Sequence, residues 1–244
     1  LGTPNDQGSG IRLGQSVGGK TDHMDRVTAW RFLNPPLAFA QGIVVNKSGQ
    51  RFCNEMVYGA TLGDAMCEDN DGKAYLILDE SLLDDAKKQS KEALPFQRDM
   101  ARMLMYFNAK KKSNLVDLAK VYGLPADMLT EEVEKYNQAA RSQSSCEFGK
   151  ASSDVKELKG PFHIMDISID SKLAPLTTLT LGGLVVNEET GEVLNQDNQE
   201  IKGLYAAGRT AVGICSNIYV SGLSIADCIF SGRRIGQNLR KGDK

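Results

Sequence analysis

Near the C-terminus, the apolar and polar positions predict a strand, a loop and a helix in succession. Residues 203–208, GLYAAG, form a strand-like run that ends in small residues. A glycine-rich loop follows and ends in YVSG at residues 219–222. Apolar residues then recur at helical spacing from residue 223 to about residue 239, which predicts a helix. Such a corner binds anions, because the first N–H groups of a helix lack intrahelical partners. The N–H groups that we expect to serve here belong to Leu223, Ser224 and Ile225.

The middle of the chain mixes the periodicities of strands and helices, which predicts an α+β arrangement. Strands are expected at 43–46 and 73–80, and helices at 97–108, 115–122 and 129–141. Helix 97–108 carries an apolar stripe, which we interpret as core packing. The stripe consists of Met100, Met103, Leu104 and Phe107. The three lysines at 110–112 are interpreted as a solvated turn.

Composition narrows the class of protein. A net charge of −2 gives no overall attraction to nucleic acid or anionic lipid. The chain has 41% hydrophobic residues and no apolar run of membrane-spanning length. Its five cysteines contain no CxxC pair, which indicates free thiols in a reducing, cytoplasmic compartment. Two histidines distant in sequence predict no metal site.

Residues 8–14, GSGIRLG, are the nearest approach to a dinucleotide-binding fingerprint. Their glycine spacing differs from GxGxxG, and no apolar strand precedes them. They are interpreted as a loop that enters a short helix. We therefore expect the ADP-binding part of a nucleotide-binding fold to lie outside this chain.

The C-terminal corner resembles that of the fumarate reductase/succinate dehydrogenase flavoprotein superfamily. The resemblance rests on GLYAAG at 203–208 and SGLSIADC at 221–228, and extends to residues 8–19, 43–55 and 131–150. It implies a partial FAD-binding, Rossmann-like domain with an inserted α+β capping domain. The implied boundaries are 1–42 and 166–244 for the FAD-domain segments and 43–165 for the capping domain. The cofactor-binding residues would be Ala207, Gly208, Arg209, Gly222, Leu223, Ser224 and Ile225.

The resemblance also implies a partner for the chain, an N-terminal half that carries the ADP-binding fold. Phosphate contacts of that half are charge-assisted hydrogen bonds, which are among the stronger contacts in such sites. Without them, we expect residues 1–244 alone to bind FAD weakly and to be inactive.

Within the superfamily, the residues that would clamp a dicarboxylate are replaced. Leu179 stands where fumarate reductases have a histidine, and Tyr219 stands where they have an arginine. Leu82 and Leu83 occupy another position where an arginine is expected. A carboxylate buried without such partners costs several kcal/mol, roughly. The Tyr-x-Ser-Gly turn instead resembles flavin-dependent 3-ketosteroid dehydrogenases of the 3-keto-5α-steroid 4-dehydrogenase type.

This resemblance implies three catalytic residues and an apolar, steroid-like ketone as substrate. Tyr219, with a backbone N–H at Gly222 or Leu223, would polarise the carbonyl oxygen. Ser221 would accept the proton next to the carbonyl, backed by Tyr58. Structural alternatives remain: Tyr219 as a packing residue, Ser221 as a helix cap, and the neighbouring Arg51 and Glu55 as a surface ion pair.

The predicted function is thus that of an FAD-dependent oxidoreductase acting on a carbon–carbon bond beside a ketone. One alternative is a fumarate-reductase-like enoate reductase with an altered substrate pocket. Another is a cofactor-free fragment that serves as a structural or interaction module. No nucleic-acid partner and no membrane span are expected.

Overall fold

The computed structural model describes residues 5–242 of the chain. Its helices are α1 (Ser9–Gln15), α2 (Leu37–Ala40), α3 (Gly59–Asp69), α4 (Glu80–Gln89), α5 (Pro95–Met103), α6 (Leu115–Lys120), α7 (Ala126–Ser142) and α8 (Leu223–Gly242), and a π-helical turn, Leu104–Asn108, extends α5. Its strands are β1 (Thr21–Asp22), β2 (Val27–Trp30), β3 (Ile43–Val45), β4 (Tyr75–Asp79), β5 (Lys110–Lys112), β6 (Phe162–Asp166), β7 (Thr177–Thr180), β8 (Gly183–Leu184), β9 (Glu192–Leu194) and β10 (Glu200–Tyr205). The predicted mixture of helices and strands is confirmed.

The chain divides into two compact units. The first combines the segment up to Thr28 with the segment from Thr177 onward, and the second is Ala29–Leu176. Residues 29–42 and 166–176, which the sequence assigned to the flavin segments, therefore pack within the second unit. Whether the units act as flavin and capping domains stays a prediction.

The second unit is built on a four-stranded antiparallel sheet in the order β3–β4–β6–β5. Strands β3 and β4 are almost wholly apolar and lie in the core, which also contains Phe39, Leu129 and Tyr136. Asp79 ends β4 and begins α4, because its Oδ1 accepts a hydrogen bond from Leu82 N at 2.8 Å. Such a cap satisfies a backbone donor that the helix itself cannot.

Two sequence interpretations of the second unit are wrong. The lysines at 110–112 form strand β5 at the sheet edge, paired with β6, rather than a turn. The stripe on α5 is only partly core: Leu104 is buried, Met100 and Met103 are half-buried, and Phe107 is exposed. The side of the helix that faces the core is the neighbouring one, with Ala101 and Met105. Periodicity identifies both stripes but does not say which one is covered.

The first unit has a smaller core, formed by Leu184, Val193, Ala206 and Ala211. Two antiparallel ribbons, β1–β8 and β9–β10, surround it. Helix α8 is anchored at its far end, where Arg234 Nη1 and Asn238 Nδ2 each donate a 2.8 Å hydrogen bond to the backbone carbonyls of Glu188 and Glu189.

Candidate functional site

The turn after β10 is fixed to helix α8 by one buried serine. Gly208 has φ +56° and donates its N–H to Ser231 Oγ at 3.0 Å. Ser231 Oγ donates in turn to the carbonyl of Asp227 at 2.5 Å. A Cβ added at Gly208 would lie 2.6 Å from Cys228 Sγ. Only glycine fits both this left-handed backbone and this close approach to the helix.

The N-terminus of α8 forms the other side of the corner. Gly222 has φ +89°, and its carbonyl accepts a hydrogen bond from Ala226 N at 3.1 Å. Leu223 N donates to Val220 O at 3.1 Å, so this predicted donor is already engaged. Ser224 and Ile225 are left as the candidate donors, since N–H groups of the first helical turn have no acceptor within the helix. The positive end of the 20-residue helix dipole favours an anion here.

One pocket of the first unit brings four predicted residues together: Gly208, Arg209, Tyr219 and Ser224. Leu181 and Gly182, from the segment that departs from the fumarate reductase pattern, line the same pocket. Arg209 also lines a neighbouring cavity of about 450 Å³ beside α1. Its Nη2 donates to Thr180 Oγ1 at 3.3 Å, which holds the guanidinium between the two cavities.

Tyr219 and Ser221 lie in the irregular segment that leads into α8. Tyr219 is half-buried and Ser221 is exposed. The segment is tethered at two points: the Ser216 hydroxyl donates to Gly213 O, and Arg26 donates to Asn217 Oδ1. Both contacts hold the part of the segment that directly precedes the tyrosine.

Tyr58, the third predicted catalytic residue, belongs to the second unit. It directly precedes α3, is partly exposed, and packs its ring against Trp30 with centroids 5.6 Å apart. Gly59 is required beside it, because an added Cβ would lie 2.3 Å from Trp30 Nε1. The catalytic role of Tyr58 stays a prediction.

The second unit contains a buried charge cluster formed by Arg51, Glu55 and Lys150. Glu55 accepts hydrogen bonds from Arg51 Nε at 3.0 Å, Arg51 Nη2 at 2.9 Å and Lys150 Nζ at 3.2 Å. Val44 N also donates to it, at 3.0 Å. All three charged side chains are at most 3% exposed. The interpretation of Arg51 and Glu55 as a surface pair is therefore wrong.

Burial and charge act in opposite directions within this cluster. Burial opposes the charge on Arg51, but the Glu55 carboxylate outweighs it and raises the pKa of the guanidinium. For Lys150, burial wins and lowers the pKa of the amine, although Glu55 lies beside it. Tyr136, whose ring lies 5.0 Å from Arg51 Cζ and 4.9 Å from Lys150 Nζ, has its phenol pKa raised by burial. The ring and one carboxylate together compensate two buried cations.

The strand, the glycine-lined turn and the helix N-terminus define a protein that binds the anionic edge of a nucleotide or flavin. The chain belongs to the FAD binding domain family, whose model matches residues 7–222. FAD is therefore its cofactor, as the sequence predicted. The corner fits this group: Gly208 lets the turn approach α8 closely, a Cβ at Gly222 would meet nothing within 4 Å, and Arg209 supplies positive charge.

Similar proteins confirm the resemblance that the sequence motifs indicated. The chain is 43% identical to a 3-oxo-5-alpha-steroid 4-dehydrogenase from Comamonas testosteroni over 82% of its own length and 38% of that protein's. It is 28% identical to an NADH:acrylate oxidoreductase from Vibrio harveyi, over 95% of this chain and 22% of that one. A crystal structure of 3-ketosteroid-delta4-(5alpha)-dehydrogenase from Rhodococcus jostii RHA1, in complex with 4-androstene-3,17-dione, matches with a TM-score of 0.79 and 32% identity, over 95% of this chain and 45% of that one. The chain thus spans less than half the length of these relatives. Within residues 5–242, no helix has the length and apolar character needed to cross a membrane.

Proposed function

We propose that the protein carrying this chain is an FAD-dependent oxidoreductase that dehydrogenates the carbon–carbon bond beside the ketone of a 3-ketosteroid. The observation that carries the proposal is the pocket in which Tyr219 lies with Gly208, Arg209 and Ser224 at the N-terminus of α8. A phenol at that position offers a neutral donor to a carbonyl oxygen. Two relatives named for 3-ketosteroid dehydrogenation support the same substrate class.

The two units correspond, in this proposal, to a Rossmann-like FAD-domain segment and a capping domain. The first unit carries the corner, and the second carries Tyr58. The ADP-binding unit predicted as a partner of the chain stays a prediction. The assignment of these roles to the two units stays a prediction from the resemblance.

We assign the steps of the reaction to particular residues of this chain. Tyr219 donates its hydroxyl proton in a hydrogen bond to the ketone oxygen, where negative charge develops as the neighbouring carbon loses its proton. Gly222 N–H is the backbone donor of choice, since Leu223 N–H is engaged with Val220. Ser221 accepts the departing proton; because a serine alone is a weak base, it needs an assisting group, and that role of Tyr58 stays a prediction from the sequence. FAD, when bound, supplies the acceptor for the hydride that leaves the adjacent carbon.

Cofactor binding falls to other residues of the corner. The N–H groups of Ser224 and Ile225, together with the helix dipole, favour the electron-rich pyrimidine edge of the flavin. Arg209 adds a cation that pairs with a phosphate or with the flavin ring. Ala207 and Gly208 place no long side chain in the way. These roles follow the assignments made from the sequence, with Leu223 N–H as the exception.

An enoate reductase is the second candidate, and the Vibrio harveyi relative named for acrylate supports it. A carboxylate substrate needs a cationic partner. Among the described residues that line the pocket, Arg209 is the only cation, and it is placed with the proposed flavin-binding residues. The leucines at 82 and 83 lie in the core of the second unit and offer no replacement. A ketone substrate therefore fits the pocket better than a carboxylate substrate does.

Tyr219→Phe tests the proposal, because it removes the hydroxyl and keeps the ring. We expect kcat with a 3-ketosteroid to fall by roughly 10²–10³, as for the loss of one oxyanion donor. KM should change little. The matched control is Tyr205→Phe, on β10, which removes a hydroxyl from the same unit at a residue that does not line this pocket. An unchanged rate in Tyr219→Phe would show that Tyr219 only packs.

A further inference from the structure

Helix α5, the residue that precedes it and its π-helical extension expose four large aromatic and apolar side chains. Leu94, Phe96, Tyr106 and Phe107, which we call the aromatic face, are 58–67% exposed. Phe96 and Phe107 are separated by about three helical turns and so project from similar sides. Ala101, Leu104 and Met105 of the same helical segment lie in the core. The helix is thus anchored to its unit and presents large apolar groups to solvent.

Positive charge is concentrated around this face. Residues 91–112 contain six basic and two acidic residues, although the whole chain has a net charge of −2. Among the described residues, the salt bridges of this segment join Lys111 to Glu80 and Arg98 to Asp99. No described ion pair takes up the charge of Lys91, Arg102, Lys110 or Lys112. Lys110 and Lys112 lie in edge strand β5, directly after the helix, and are exposed.

We propose that the aromatic face and its lysines form a docking surface for an anionic phospholipid bilayer. A helix with aromatic residues on one side and basic residues beside it lies in the plane of a membrane interface, with the rings at the headgroup boundary. Each nearby Lys or Arg adds attraction to anionic lipid. The weak overall charge does not oppose this, because the basic residues are gathered at one surface and attraction is screened beyond about 10 Å. The inference is independent of the proposed function.

A bilayer fits the aliphatic part of this surface better than a nucleic acid does. Leu94 is an aliphatic member of the aromatic face, and Met100 and Met103 of the same helix are half-buried. Aliphatic groups of this kind gain by leaving water but offer no ring on which a base can stack. Lys110, Lys111 and Lys112 follow the exposed rings along the chain, much as basic residues flank the apolar part of an interfacial helix.

Flotation with lipid vesicles tests the proposal on the FAD-loaded protein. We expect binding to vesicles that contain phosphatidylglycerol, weaker binding to pure phosphatidylcholine, and loss of binding as salt is raised. Lys110→Glu with Lys112→Glu should weaken binding by about fivefold for each unit of charge, or roughly several hundredfold in total. The matched control is Lys156→Glu with Lys172→Glu, which changes the net charge by the same amount at exposed residues of the same unit. This control variant should bind the vesicles more tightly than the test variant does.

The apolar part has its own variants. Phe107→Ser, alone or with Phe96→Ser, should weaken vesicle binding by roughly tenfold per ring. Val116→Ser, at an exposed apolar position on α6, should leave binding unchanged. Unchanged circular dichroism and flavin spectra in each variant show that folding is intact, and single Phe107→Ser serves if the double variant does not fold.

Four results would overturn the proposal. The first is no binding to phosphatidylglycerol vesicles at low salt. The second is equal loss in the test and control lysine pairs. In the third, the phenylalanine variants bind as before while a single-stranded oligonucleotide binds as tightly as the vesicles, which would indicate plain electrostatic adsorption. In the fourth, Phe107→Ser abolishes self-association in sedimentation without changing vesicle binding, which would identify a second copy as the occupant.

Discussion

Among the residues that the structure describes, Glu55 is the one carboxylate paired with both Arg51 and Lys150, and its neutralisation is the most informative stability test. Glu55→Gln keeps the side chain's shape and removes its charge. Oε1 accepts from Val44 N and Arg51 Nε, and Oε2 accepts from Arg51 Nη2 and Lys150 Nζ. Whichever way the amide is turned, its NH₂ group replaces one of these acceptors and faces two N–H donors.

The expected loss follows from the burial of the partners. Removing one member of a buried ion pair costs about 3–5 kcal/mol, because an uncompensated charge remains in the interior. Here both Arg51 and Lys150 remain, so we expect about 4–5 kcal/mol. A loss of this size is a large share of the total stability of an ordinary domain, about 5–15 kcal/mol. At about 2–4 °C per kcal/mol for a unit of this size, Tm should fall by about 8–20 °C.

The assay is urea unfolding followed by the fluorescence of Trp30, the only tryptophan, which lies in the same unit as the cluster. The matched control is Glu157→Gln, since Glu157 pairs with Arg141 and Lys159 at the surface. Exposed pairs of that kind contribute about 0–1 kcal/mol.

A second variant separates charge from packing. In Glu55→Gln with Lys150→Met, one of the two uncompensated cations is gone, so the double variant should be more stable than Glu55→Gln alone. The reasoning would be refuted if Glu55→Gln cost no more than Glu157→Gln, or if the second substitution simply added a further loss.

Three further variants test other parts of the structure. Gly208→Ala should weaken FAD binding in a fluorescence titration by at least roughly tenfold, because the added Cβ collides with α8 and the left-handed backbone is strained; binding equal to the unchanged protein would contradict this. Hydrogen bonds from Lys111 and His163 lower the pKa of Glu80 to about 2, so its stabilising effect is present above its ordinary pKa of 4.5 and is lost as pH falls toward 2; Glu80→Gln should flatten the fall of the urea midpoint in this window, and an identical profile would count against it. Burial lowers the pKa of Lys150 below its ordinary 10.5, so the unfolded chain binds the proton more strongly and stability gains from Lys150 as pH rises toward 10.5; Lys150→Met should remove that gain, and its persistence would assign it to another group.

The corner could be predicted from sequence because its signals are local. A strand, two glycines that adopt left-handed backbone and a helix start follow one another within residues 200–223, and the structure has β10, Gly208, Gly222 and α8 in that order. The engagement of Leu223 N–H was not predictable, since it depends on how the preceding loop folds back to Val220.

The buried charge cluster could not be predicted in the same way. Arg51 and Glu55 are four residues apart, and their pairing is visible from spacing, but their burial depends on Lys150, which is 95 residues from Glu55. Composition assigns charged residues to the surface by default. A lysine after the Phe-Gly pair at 148–149 was the available signal, and nothing local distinguishes it from a solvated one. The burial of this cluster is a result of tertiary packing.

The most direct test of the proposed function is an anaerobic single-turnover experiment with the oxidised, FAD-loaded protein. Mixing with a saturated 3-ketosteroid should bleach the visible absorbance of the flavin and yield the unsaturated ketone in equal amount, and Tyr219→Phe should slow the bleaching by roughly 10²–10³. Absence of bleaching by any 3-ketosteroid, together with rapid reoxidation of the reduced protein by fumarate or acrylate, would contradict the account and identify an enoate reductase instead.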